Sequence, residues 1–137
     1  MKFKQFILMI LLLTAGGVSC DDNRHTIIGT PVRIGNLEIA EHDFPDKMTW
    51  DEAKKACSEL GQDWRLPTKS ELYFMYLNKN KLEGIVSDYT HGEKGFIFYW
   101  SSTESDKDRA YYLGFFGGFQ DYGFKVNAFI VRAVRTY

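Results

Sequence analysis

Apolar positions change their spacing along the chain, and the changes divide it into elements. Between Thr49 and Gly61, Trp50, Ala53, Cys57 and Leu60 recur at steps of three and four, one stripe of an amphipathic helix. Thr49 with Glu52, and Thr68 with Glu71, each fit the S/T-x-x-E capping box, so two helices are predicted to start here. Gly61 stands where a left-handed helix end is expected. Leu72, Met75 and Tyr76 repeat the helical spacing after Thr68, and Pro67 between the helices keeps Leu66 extended. The helices are followed by a loop over residues 82–94, which carries Gly84, Gly92 and no steady period.

Elsewhere the period is two. Val32 to Ala40 alternates around Gly35-Asn36, as either a tight hairpin or a bulged strand, with Ile34, Leu37 and Ile39 as core candidates. Strands are predicted at 96–102, 110–116 and, more weakly, 119–126, with turns at 104–109 and Gly117-Gly118. Phe129 to Arg135 reads as a closing strand with Phe129, Val131 and Ala133 on one face and Ile130 and Val134 on the other. Its apolar character predicts a central place in the sheet. The architecture is α+β: two helices packed on a small antiparallel sheet.

The N-terminus follows neither period. Lys2 and Lys4 precede an apolar run from Phe6 to Leu13 and a small-residue stretch ending at Cys20, the order of a secretory signal. A small residue before a cysteine at this distance resembles the bacterial lipoprotein signal. The resemblance implies residues 1–19 as signal peptide, Cys20 as the lipidated residue and 20–31 as a polar tether, ahead of a domain at 32–137. The expected location is the cell envelope, most readily the outer membrane. Asp21-Asp22 resembles a surface-export tag of some bacterial phyla and an inner-membrane retention signal of others, which leaves the leaflet open.

Composition narrows the functions. The chain has 137 residues, 45% hydrophobic, enough for one domain with its own core. Its 17 basic and 18 acidic side chains leave a net charge of −1, so nucleic acid is not an expected partner. With Cys20 lipidated, Cys57 is the remaining thiol, a small buried hydrophobe on the helix stripe rather than a nucleophile.

Arg65 has the fork that grips a carboxylate or sulfate, but its place between two helix caps favours a structural tie. Ser101, Ser102 and Thr103 lack a histidine related to them by any motif and read as structural hydroxyls. Glu104, Asp106 and Asp108 alternate as in a calcium loop, but without its glycine and terminal glutamate, and Lys107 and Arg109 offset their charge. A solvated turn is the preferred reading, and no metal or cofactor is expected.

The strongest functional signal is an aromatic excess between residues 111 and 124. Alternation puts Tyr111, Leu113 and Phe115 on one strand face and Tyr112, Gly114 and Phe116 on the other. One face builds the core. The other is a candidate binding face, since tyrosine and small polar residues combine rigid contact area with adaptable hydrogen bonds. The candidate ligand-binding residues are Tyr111, Tyr112, Phe115, Phe119, Asp121, Tyr122, Lys125 and Asn127. A core buried on both faces is the competing reading.

Four motifs in order, MTWDEAKKAC, DWRLPTKSEL, YWSST and the glycine- and aromatic-rich stretch ending in VRAVR, resemble the bacterial Lcl C-terminal domain family, allied to the C-type-lectin and formylglycine-generating-enzyme fold. The resemblance covers roughly residues 34–135. It implies a C-type-lectin-like fold and a non-catalytic, adhesin-like binding domain with a glycan or protein ligand. In lectin-like relatives the helix cysteine commonly pairs with one on the last strand, and the corresponding place here is Ala133. The Glu-Pro-Asn and Trp-Asn-Asp calcium motifs are absent, so calcium-dependent sugar binding is not expected. Alternatives are a protein-binding display domain of the diversity-generating-retroelement type, a structural envelope lipoprotein without a ligand, and an enzyme of the formylglycine-generating type, which would require Cys57.

Overall fold

A computed structural model describes residues 21–86 and 97–137, with side chains from Arg24 onward. Its elements are α1 (Asp21–Ile28), β1 (Val32–Ile34), β2 (Leu37–Ile39), α2 (Trp50–Glu59), α3 (Lys69–Leu77), a 3₁₀ turn (Lys79–Lys81), β3 (Tyr99–Glu104), β4 (Arg109–Gly114), β5 (Phe119–Phe124) and β6 (Val134–Thr136). Both predicted helices start at their capping threonines. Thr49 N–H donates to Glu52 Oε2 at 3.0 Å. At α3, Thr68 N–H donates to Glu71 Oε2 (2.8 Å), and Glu71 N–H returns a bond to Thr68 Oγ1 (3.2 Å). Gly61 follows α2 at φ +81°, the left-handed stop that its position predicted.

Three expectations need correction. The stretch after Cys20 is not a polar tether throughout: residues 21–28 form α1, and Ile27 is buried in the core beside Trp50 and Leu60. Polar composition concealed this, because Ile27, with Ile28 packed beside it, is enough to dock the helix. Second, there is not one sheet but two, each three-stranded and antiparallel, in the orders β1-β2-β6 and β3-β4-β5. Third, residues 129–135 do not form one continuous strand. Phe129 and Ile130 make isolated bridges to Met48 and Tyr99, and only from Val134 does β6 pair with β2, at the edge of its sheet. An isolated bridge to Arg65 covers the other side of Val134. Gly35-Asn36 is a hairpin turn, with Ile34 paired to Leu37. The signal-peptide and lipidation readings on residues 1–20, and the loop reading over 87–94, lie outside the described residues.

The crossing segment divides the core as its alternation requires. Phe129, Val131 and Ala133 join α1, α2, Trp64 and Trp100 in one cluster. Val134, with Ile130 beside it, joins the β1-β2 hairpin, α3, Tyr99, Leu113 and Phe115 in the other. Cys57 and Ala133 are fully buried in the same cluster. Burial pushes the Cys57 thiol up to about 12, far from the thiolate that a nucleophile needs.

A buried ion pair fastens the loops at one end. Arg132 donates to Asp43 and to the carbonyls of Ala40, Glu41 and Glu83, while Tyr99 Oη donates to Asp43 Oδ2 (2.7 Å) and accepts from Val86 N–H (3.0 Å). Sequence reasoning left Arg132 unremarked, although a lone arginine in an apolar strand needs such a partner.

Candidate functional site

The β4-β5 hairpin carries most of the candidate residues, and its register sorts them onto two faces. Tyr111 pairs with Tyr122, Tyr112 with Asp121, Leu113 with Gln120 and Gly114 with Phe119. Side chains directly opposite share a face.

On the first face, rings are already partnered by the chain's own cations. Lys69 Nζ lies 4.0 Å from the Tyr111 ring centre, Tyr111 meets Tyr122 edge-on at 5.9 Å, and the Arg109 guanidinium lies 4.9 Å from the Tyr122 ring. The series of cation, two rings and cation ties α3 to the hairpin. Phe115 is a correction: it is fully buried against Tyr99 and Tyr76 and has no surface to offer a ligand. Lys125 also has a structural place, with Nζ bonded to Glu104 Oε2 (3.0 Å) and the Lys107 carbonyl (2.8 Å) and lying 4.3 Å from the Trp50 ring.

A groove of about 670 Å³ opens on the second face, lined by Phe98, Tyr112, Phe119, Asp121, Gly123, Asn127 and Phe129, with Arg109, Tyr122 and Phe124 of the first face at its border. Five predicted residues, Tyr112, Phe119, Asp121, Tyr122 and Asn127, come together here. Tyr112 forms its floor, stacked on Phe98 at 4.3 Å and meeting Phe129 edge-on at 4.9 Å. Two glycines make room for these rings. A β-carbon on Gly114 would lie 3.4 Å from Phe98, and one on Gly123 would lie 3.0 Å from Tyr112. Phe98, Phe129 and Gly123 were absent from the candidate residues. Glycines inside strands whose neighbours are aromatic were the signal that could have found them.

The charges of the groove are unequal. Arg109 is neutralised by Asp106, with Nε at 2.7 Å and Nη2 at 2.6 Å from Oδ2. Asp121 accepts from Tyr122 N–H at 2.8 Å, and among the described residues it has no cationic partner. Burial, and after it the Asp121 charge, push the Tyr112 phenol upward.

The other chemical candidates are occupied structurally. Arg65 forms the bidentate carboxylate pair that its fork permits, but with Glu71 of α3, at 2.7 and 2.8 Å. Ser101 Oγ donates to the Tyr111 carbonyl (2.7 Å), and Thr103 Oγ1 accepts from Lys69 N–H (2.9 Å) at the start of α3. Glu104 and Asp106 hold Lys125 and Arg109. Among the described residues no group of three or more His, Cys, Asp or Glu side chains is placed to hold a metal.

This arrangement of helices and paired sheets is the C-type-lectin-like fold. Botrocetin is similar to it, with 11% sequence identity, a TM-score of 0.55, and coverage of 78% of this chain and 96% of botrocetin. A chain of the complex of botrocetin with a mutant von Willebrand factor A1 domain is similar at 11% identity and TM-score 0.51, with the same coverage. The chain belongs to the Lcl C-terminal domain family, which it matches over residues 22–135. No curated protein matches it.

Proposed function

We propose that this is a non-catalytic binding domain that takes its ligand in the groove of Phe98, Tyr112, Asp121, Asn127 and Phe129, and that a lipid on Cys20 holds it at the cell envelope. The observation that carries the reading is the groove itself. Five of the eight candidate residues line one concavity, where Gly114 and Gly123 leave room for the rings of Phe98 and Tyr112. A protein ligand is favoured over a glycan. Six of the ten lining residues are phenylalanine or tyrosine, and botrocetin, of the same fold, is known in complex with a protein domain.

The test is to present the protein to a glycan array, with calcium and with chelator, and to candidate envelope and host proteins. A Tyr112→Ala variant belongs beside a Tyr111→Ala control from the opposite face. Binding lost in the first and kept in the second supports the groove. Binding that survives both places the site elsewhere. For the anchor, incorporation of an alkyne-tagged fatty acid that disappears in Cys20→Ala is the expected result, and unlabelled wild-type protein overturns it.

A further inference from the structure

We infer that the groove receives a lysine or arginine side chain of a protein partner, with its cationic head at Asp121 and its stem along Tyr112 and Phe98. The inference rests on the groove being the binding site and adds the chemistry of what enters it. Of the charged side chains lining the groove, Arg109 is spent on Asp106, whereas the Asp121 carboxylate has one oxygen engaged by a backbone N–H and no cation beside it among the described residues. The groove therefore presents one uncompensated negative charge against the faces and edges of four rings, Phe98, Tyr112, Phe119 and Phe129. Ring faces and a carboxylate attract the same group, an organic cation. A neutral sugar would stack on the rings but leave the carboxylate without a counter-charge.

The surroundings favour a macromolecular source for that cation. Phe119 and Phe124 of β5, an edge strand of its sheet, and Val126 just after it are 56%, 58% and 81% exposed at the mouth of the groove. A small ammonium ion would leave this apolar rim wet. A protein surface that inserts one basic side chain would cover it, in the usual arrangement of a buried anchor inside a less critical rim. Lysine and arginine also match the groove lengthwise, because both lay an apolar stem on rings while keeping a charged tip.

The test uses isotope-labelled protein and four soluble probes: the Nα-acetyl methylamides of lysine, arginine and norleucine, and glucosamine. The expected result is that the lysine and arginine probes move the amide resonances of Tyr112, Asp121, Tyr122 and Asn127, with at least tenfold weaker response to norleucine. Asp121→Asn, which keeps the side chain's shape, should lower the lysine probe's affinity at least tenfold while leaving resonances remote from the groove in place. Equal response to norleucine, an unchanged Asp121→Asn, or no response to either basic probe overturns the inference. Glucosamine binding without the amino-acid probes also overturns it, in favour of an amino sugar. If the basic probes fail but a glycan or protein still needs Tyr112, the groove stands as the site and only its cation preference falls. If nothing depends on Tyr112, both readings fall.

Discussion

The Tyr112 ring lies across the backbone of Gly123 on the neighbouring strand, so closely that a β-carbon there would come within 3.0 Å of Cε1. The contact sets the floor of the groove. Gly123→Ala should tilt the ring into the space above it, at a stability cost of about 1–2 kcal/mol. Ligand binding should fall by more than that loss explains. Chemical denaturation together with a binding titration separates the two effects.

Asp43 and Arg132 form a buried pair whose side chains are 15% and 1% exposed. Asp43→Ala would leave the guanidinium buried without its counter-charge, at a cost of about 3–5 kcal/mol. Tyr99 would lose the acceptor of its hydroxyl in the same substitution. An unfolding free energy from urea titration within about 1 kcal/mol of wild type would show that the pair is dispensable.

Cys57, with its thiol pushed up to about 12 by burial, should not react with a disulfide reagent at pH 8 in the folded protein. In a Cys20→Ser background, labelling should follow global unfolding. Rapid labelling of the native state would reopen the thiol-chemistry alternative.

Glu38 is held below its ordinary value of 4.5, first by its hydrogen bond from Arg135, which outweighs the opposing effect of burial. At Glu71 burial pushes upward, but the Arg65 and Thr68 bonds overcome it and the carboxyl is again lowered. An acid weaker in the unfolded chain than in the folded one binds its proton there first. These groups therefore add stability above about pH 4.5 and lose it as pH falls through their lower folded values. Unfolding midpoints should drop below about pH 4.5, against the opposing effect of Asp43, whose carboxyl burial pushes upward, and the drop should shrink in Glu38→Gln. An unchanged acid limb in that variant would assign the loss to other carboxylates.

What was legible in the sequence were features with local causes. The capping boxes at Thr49 and Thr68, the glycine stop at Gly61 and the two faces of residues 129–134 each follow from neighbours a few positions away. Partition between two sheets was not legible, because β6 chooses β2 over β3 through contacts distant in sequence. Alternation separated Tyr111 from Tyr112 but could not say which side the α3 cations would claim. Lys69 of α3, with Arg109 at the start of β4 itself, claims the Tyr111 side, which leaves Tyr112 facing the groove. Phe115, one residue past β4, was lost to the core for a similar reason: α3 supplies Tyr76 as its cover.

The β2-β6 ladder joins Glu38 to Arg135 across 97 positions of chain. The outer edge of β2 therefore has no ladder partner until residues 134–136 are made, although the hairpin's apolar face can already meet α3. Such a long closure slows folding, since the entropy of the intervening loop is lost before the pairing is gained.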